Sequence, residues 1–235
     1  SKVEVMGEFP SADDDTVIPM ELIRGAMNRD VSLTANEPIV WGLDVARFGG
    51  DNSALCVRQG NTVLDLVTFP SMDLMQLCGA VKNKFDDATV MEQPQEILVD
   101  VIGLGSGVVD RLAEQNLPVR GVNVAEAPAT KKNYLNLRAE LWFAVKDWLT
   151  KRDCRIPEDD ELAAELASPQ YKYTSSGKIK IESKDEMRKR GIKSPDKADA
   201  LALTMASSAA SFSGSGAHFG YNFKKPLKSR IFRVG

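Results

Sequence analysis

"WGLDVARFGGD" (Trp41–Asp51) is the stretch on which the reading of this chain turns. It closes an apolar run, Pro38-Ile39-Val40-Trp41-Gly42-Leu43, that predicts a buried strand from Ile39 to Val45. The run nevertheless ends on a carboxylate, Asp44, and then dissolves into Gly49-Gly50-Asp51. Burying a charge is costly unless it is paired or bound to a metal. Asp44 is therefore either a cap for the glycine turn or half of a site, and Asp51 is either an ordinary turn residue or a further ligand.

Outward from this stretch, the chain has the composition of an ordinary soluble globular protein. Its 235 residues, 43% hydrophobic and 27% charged, suit one large domain or one and a half. No apolar run approaches the ~20 residues of a membrane span, and no signal peptide is recognised, so no membrane partner is expected. Cys56, Cys78 and Cys154 are scattered without CxxC spacing. They read as buried thiols in a reducing compartment and support neither a disulfide framework nor a zinc site. The lone His218 lies in a glycine-rich tail, which argues against histidine metal centres and Ser-His-Asp catalysis. Any catalysis must use carboxylates, lysines or hydroxyls.

The net charge of −3 gives no global basic field, but the charge is uneven. "KYTSSGKIKIESKDEMRKRGIKS" (Lys172–Ser194) and "NFKKPLKSRIFR" (Asn222–Arg233) are basic, whereas "ADDDTV" and "PEDDELAAEL" gather acids. Such a basic run is either a solvated face or a surface for phosphates.

Periodicity supplies the rest of the outline. A short amphipathic helix is predicted at "MELIRGAMNR" (Met20–Arg29). Strands follow at "SALCVRQG" and "TVLDLVTFP", joined by a Gly60-Asn61 hairpin turn. "MDLMQLCGAVKNKFDD" has helical spacing, with Leu74, Leu77, Cys78 and Val81 on one face. "QEILVDVIG" (Gln95–Gly103) is apolar enough for a strand buried on both sides. A helix at "SGVVDRLAEQN" and a strand at "PVRGVNV" come next. The long helix "NLRAELWFAVKDWLTK" turns Leu137, Leu141, Ala144, Val145 and Trp148 inward. Then come a helix at "DDELAAELAS" and a hairpin at "YKYTSSGKIKIES". The last helix, "SPDKADALALTMASSAA", is expected to open with Ser194 as N-cap and Pro195 at its first position. This order predicts an α/β fold, a mixed sheet with helices on both faces. Residues 39–211 form the expected folded domain, with a leader over 1–38 and a flexible basic tail over 212–235.

Within that outline, Asp44, Asp100, Asp196 and Asp199 stand out. Asp100 lies inside "ILVDVIG", where Asp is disfavoured. Asp196 and Asp199 are three apart and share a helix face, although an acid in a helix's first turn is also favourable in its own right. Carboxylates gathered on buried elements raise each other's pKa unless a counter-charge is present. Hard oxygen ligands without His or Cys favour magnesium or manganese, and two such ions would suit phosphodiester cleavage. The glycines of "VIGLGSGVVDRL" are misplaced by one position for a dinucleotide fingerprint, and no P-loop sequence is present.

Together, "LDVARFGGD", "LVDVIGLGSGVVDRL" and "SPDKADALALT" resemble, in order and spacing, the nuclease domain of the tailed-phage terminase large subunit, the motor that cuts concatemeric DNA and packages it. "KVEVMGEFPS" and "VIPMELI" resemble the segment leading into that domain from the family's ATPase domain. The resemblance implies an RNase H-like fold. It also implies Asp44, Asp100 and one or both of Asp196 and Asp199 as ligands of Mg2+ or Mn2+, with Asp51 as an accessory ligand. The implied activity is cutting of double-stranded DNA with little sequence preference, in the host cytoplasm. The implied partners are the terminase ATPase domain, the portal protein and the small terminase subunit. ATPase motifs are missing, so the chain is expected to be the nuclease portion of a longer protein. The basic segment is then expected to be a DNA-facing hairpin and loop, with Lys184, Arg188, Lys189, Arg190 and Lys193 on phosphates. A RuvC-like junction resolvase shares this chemistry, and a non-catalytic docking module for portal or ATPase is the rival from another class. An actin-like ATPase would need a duplicated second domain, for which the chain is too short.

Overall fold

Apolar alternation and the hairpin turn build five strands into one sheet: β1 (Ile39–Asp44), β2 (Ser53–Gln59), β3 (Thr62–Phe69), β4 (Glu96–Asp100) and β5 (Val119–Val122). The structure, a computed structural model, describes residues 15–34, 36–46, 52–128 and 133–208. The order is β3-β2-β1-β4-β5, antiparallel through β3, β2 and β1 and parallel from β1 through β4 to β5. This is the RNase H-like arrangement that the motifs led us to expect. The helices are α1 (Met20–Met27), α2 (Leu74–Asp87), α3 (Gly105–Glu114), α4 (Leu137–Thr150), α5 (Asp160–Ala167), α6 (Lys184–Lys189) and α7 (Asp196–Thr204). A small hairpin of β6 (Tyr171–Tyr173) and β7 (Ile179–Ile181) leads into α6.

Side chains alternate across a strand, so each face of the sheet needs its own cover. Ile39, Trp41 and Leu43 of β1, with Leu55, Val57, Ile97 and Val99, pack against Leu77, Cys78 and Val81 of α2 and Val108 and Leu112 of α3. The opposite face, with Ala54, Cys56 and Leu98, is covered by α1, α4, α5 and α7. The same period of two turns Gly42 and Asp44 of β1 toward α7, and Leu98 and Asp100 of β4 with them. The β1–β4 register runs to Leu43↔Val99, so Asp44 and Asp100 are the next residue on each strand. Sequence periodicity thus carries both carboxylates to one end of one face.

Glycine makes the α7 side of β1 possible. A Cβ on Gly42 would lie 2.1 Å from the Ala200 carbonyl oxygen, so the α7 backbone rests directly on the strand. In the β4–α3 turn, Gly103 has φ +74°, and a Cβ on Gly105 would lie 1.6 Å from the Asp100 carbonyl oxygen. The glycines there serve a tight strand-to-helix turn, with no dinucleotide fingerprint involved.

Several expectations need correction. Val17, Ile18 and the α1 residues Ile23, Ala26 and Met27 belong to the main core, so this part of the expected leader is built into the domain. The amphipathic face of α1 is covered by α4 and α5. The expected loop at the end of the basic segment contains α6, started by a capping box between Ser183 and Glu186. α7 begins at Asp196, one residue later than expected, because Pro195 (φ −86°, ψ 61°) is not helical and Ser194 makes no cap bond. In α4, Ala144 is only half-buried, whereas Trp142 and Leu149 are buried. The three cysteines are free and buried, as read. Among the described residues no helix is long and apolar enough to cross a membrane. Residues 1–14, Asp51, His218 and the tail beyond 208 lie outside the described residues.

Candidate active site

The three elements facing one another at the carboxyl end of β1 each bring carboxylates. Asp44 ends β1, Asp100 ends β4, and Asp196 and Asp199 occupy the first turn of α7. Asp44, Asp196 and Asp199 are 3%, 8% and 7% exposed, whereas Asp100 is half-buried. Asp44, Asp100 and Asp199 line one cavity of about 250 Å³, with Arg138 and Trp142 of α4 on its wall. Asp196 lies on the edge of a neighbouring cavity of about 330 Å³ and accepts a hydrogen bond from the Asn52 amide at 3.2 Å. Asp100 accepts from the Ile102 amide at 3.1 Å.

Lys184, at the start of α6, ties the acids together. Its Nζ lies 2.8 Å from Asp44 Oδ2, 3.3 Å from Asp199 Oδ2 and 3.5 Å from Asp196 Oδ1. Burial works against its charge, but the three carboxylates outweigh burial and hold the ammonium above the usual lysine range. Asp199 is fixed from the other side: Trp142 Nε1 donates to its Oδ1 at 2.8 Å, and Arg138 donates to the same oxygen at 3.1 Å. Arg138 is in turn held by the Glu182 carbonyl at 2.7 Å and lies over the Trp142 ring. Burial alone would raise the Asp199 pKa, yet Arg138, Lys184 and the Trp142 hydrogen bond hold it below the ordinary value. Asp44 goes the other way. Burial pushes it up to about 7, helped by Asp199 and Asp196 and opposed by Lys184. Four acids face two cations here, and Asp44 is the acid whose charge is least compensated.

Among the described residues no three His, Cys, Asp or Glu side chains already form a cage for a metal ion. An ammonium stands among the carboxylates instead. The donor set nevertheless fits a hard divalent cation: all-oxygen ligands, largely buried, with two more acids than the side-chain cations balance. Asp44, Asp100 and Asp199 could hold such an ion, with Asp196 beside them.

The basic segment is less uniform than its composition suggested. Lys184 is turned into the acid cluster. Arg188 pairs with Asp185 at 2.8 Å, and Arg190 forks onto Glu182 at 2.6 Å while donating to the Ser168 carbonyl. Lys189 and Lys193 are exposed and make no ion pair among the described residues. Arg138 and Trp142 were missed in the sequence. Trp142 lies one residue from the predicted inward face of α4, and Arg138 read as an ordinary helix-surface charge.

No protein-family model matches the chain, and no curated protein matches it. Solved structures do. The nuclease domain of the large terminase subunit of bacterial virus Sf6 aligns with a TM-score of 0.69 at 21% identity, over 82% of this chain and 99% of that one. The large terminase nuclease of thermophilic phage G20c aligns with a TM-score of 0.60 at 15% identity, over 81% and 97%. A mutant Sf6 domain has been solved with manganese and with calcium, and the G20c nuclease with magnesium and with cobalt. At these identities the likeness establishes the fold: this chain has the fold of phage large-terminase nuclease domains.

Proposed function

We propose that this chain is a metal-dependent DNA endonuclease of a viral DNA-packaging motor. The observation that carries the reading is the convergence of Asp44, Asp100 and Asp199 in one cavity, on a fold shared with phage terminase nucleases. These three carboxylates, with Asp196 alongside, would hold Mg2+ or Mn2+, as two ions if both flank the scissile phosphate. Asp199 is the principal α7 ligand on this reading, because it shares the cavity with Asp44 and Asp100 while Asp196 faces the next one. Asp51 is a further candidate by sequence alone. The bound cation would supply charge stabilisation to the phosphate oxygens and lower the pKa of a bound water. The protein's own side chains have separate tasks. Trp142 and Arg138 orient Asp199, and Lys184 neutralises the cluster until a cation takes over.

On this reading the chain is the nuclease portion of a longer terminase subunit, beside an ATPase domain, acting on double-stranded DNA in the host cytoplasm. Portal protein and small subunit are its partners there. The test is plasmid nicking by the purified chain with manganese, with magnesium and with EDTA. Cleavage with either metal and none in EDTA is expected. Robust cleavage in EDTA would sink the metal mechanism, and no cleavage under any condition would leave the docking-module reading standing.

Lys184 and the cation compete for the same oxygens. Lys184→Ala should therefore tighten manganese binding by about tenfold or more, since one charge–charge interaction at this burial exceeds ~1.4 kcal/mol. Calorimetry on both proteins decides it, and unchanged or weaker binding would mean that the ammonium does not occupy the ion's place.

Of the five basic residues expected on phosphates, Lys189 and Lys193 are the two that are exposed and make no ion pair among the described residues. Replacing both with alanine should weaken binding across all sequences and reduce the log–log salt slope by about 2, roughly one per lysine. If affinity and slope stay unchanged in a salt titration, this part of the basic segment is only a solvated face.

A further inference from the structure

α7 carries two of the four acids, yet it has no cap of its own. A helix begins with unpaired backbone N–H groups that a neighbouring side chain normally takes up. Here the residue before the helix is Pro195, whose side chain accepts nothing, and the buried Ser194 hydroxyl makes no hydrogen bond among the described residues. The acceptor comes from another helix. Glu165 of α5 takes the Ala198 N–H on its Oε2 at 2.9 Å, and the Lys197 N–H bonds to the same carboxyl. The Lys197 side chain reaches back to α5, 2.7 Å from Asp159 and 2.6 Å from Glu161. The far end of α7 is held in the same manner. Arg58 of β2, wholly buried, donates to Thr204 Oγ1 at 2.8 Å and to the Thr204 carbonyl at 2.9 Å. A carboxyl at the amino end and a guanidinium at the carboxyl end both suit the helix dipole.

We infer that Glu165 is a positioning residue, whose carboxyl fixes the rotation and axial position of the first turn of α7 and thereby places Asp196 and Asp199 against Asp44 and Lys184. The inference rests on the nuclease reading for its catalytic consequence. Glu165 lies in the neighbouring cavity and acts through the α7 backbone. Apolar packing of Leu162, Ala163 and Leu166 holds α5 against the core but is tolerant of small slides. Hydrogen bonds to two successive amides are not, because a slide of one residue would leave them unmade. Accepting these bonds requires oxygen lone pairs and no charge. Burial, with Asp196 and Glu161 nearby, pushes the Glu165 carboxyl up to about 8, so a neutral amide is a fair replacement.

The test compares Glu165→Gln, Glu165→Asp and Glu165→Leu in the whole chain, with three readouts. These are metal-free amide hydrogen exchange at Lys197 and Ala198, manganese binding by calorimetry, and nicking kinetics. Glu165→Gln, which still offers an oxygen, should keep exchange, manganese affinity and kcat within about threefold of wild type. Glu165→Leu, and Glu165→Asp with its carboxyl a methylene short, should speed exchange at both amides by about tenfold or more. They should also weaken manganese binding and lower kcat by at least about tenfold, with KM for DNA unchanged. If Glu165→Leu does not fold, Glu165→Asp alone carries the same expectation. Wild-type exchange in the Asp or Leu variant overturns the inference, as does faster exchange with unchanged kcat and manganese affinity. If wild type itself neither binds manganese nor cuts DNA, the nuclease reading has failed, while exchange at Ala198 still reports on the cap.

Discussion

Asp44→Asn should abolish manganese-dependent nicking and, without metal, leave the protein more stable than wild type at pH 8. Asp199→Asn should abolish nicking equally and yet be less stable. The two acids sit in the same cluster, but their surroundings push them apart. Burial raises Asp44 to about 7, so the fold prefers its protonated form. Wild-type stability from this group is therefore fully present below pH ~4 and is lost as pH rises through about 7. Asn carries no charge to bury and escapes that loss, which amounts to about 4 kcal/mol at pH 8 and to less than about 1 kcal/mol at pH 4. Asp199 is held below its ordinary pKa, so its contribution is present above pH ~4 and lost in acid. Removing its charge leaves Arg138 and Lys184 short of a partner in a buried place, at a cost on the order of 3 kcal/mol. On the proposed reading both variants lose a cation ligand, and nicking should then fall on the order of a thousandfold or more. Thermal melts at pH 4.5 and pH 8 without metal, beside plasmid nicking with manganese, test both halves. An Asp44→Asn protein that melts early yet still cuts DNA would rule out the site.

The parts of this site that were legible in the sequence are those where a residue offends its local pattern. Asp44 and Asp100 interrupt apolar strands, and an acid there demands a reason. Asp196 and Asp199 show the helical spacing that puts them on one face. Arg58 offends in the same way inside "SALCVRQG", and the same rule applied to it would have flagged the clamp on Thr204. The Ser183-x-x-Glu186 spacing of the capping box was present too, and it marked α6 inside a segment read as a basic loop after the hairpin. Arg138, Trp142, Glu165 and the inward turn of Lys184 were not legible. None of them breaks its local pattern: Trp142 falls one residue off the predicted inward face of α4, Arg138 and Glu165 read as surface charges, and Lys184 as one basic residue among many. Their roles arise only from which helix packs on which, and that is a tertiary fact. The same holds for α1, whose amphipathic face was read but whose partners α4 and α5 lie more than a hundred residues away.

Gly42→Ala should cost on the order of a hundredfold in activity, although the methyl group touches no substrate. A Cβ at Gly42 would stand 2.1 Å from the Ala200 carbonyl oxygen and 3.0 Å from Thr204 Cγ2. The first of these is backbone in the middle of α7, and it cannot swing aside as a side chain would. Relief requires α7 to withdraw from β1. Withdrawal is opposed at both ends, by Glu165 on the Ala198 amide and by Arg58 on Thr204. The strain therefore divides between a broken clamp and a displaced helix, at a cost of about 3 kcal/mol or more, beyond the usual range for overpacking. Asp44 stays on β1 while Asp199 moves with α7, and a misplacement of about 1 Å at a reacting centre costs on the order of a hundredfold. Gly79, on the open face of α2, is the control. Nothing lies within 4 Å of its added Cβ, so Gly79→Ala should gain about 0.5–1 kcal/mol and cut DNA as wild type does. Melting curves and manganese nicking rates for the two alanine variants decide the matter. A Gly42→Ala protein that melts and cuts like wild type would mean that α7 does not rest on β1, and that its two acids are not positioned by that contact.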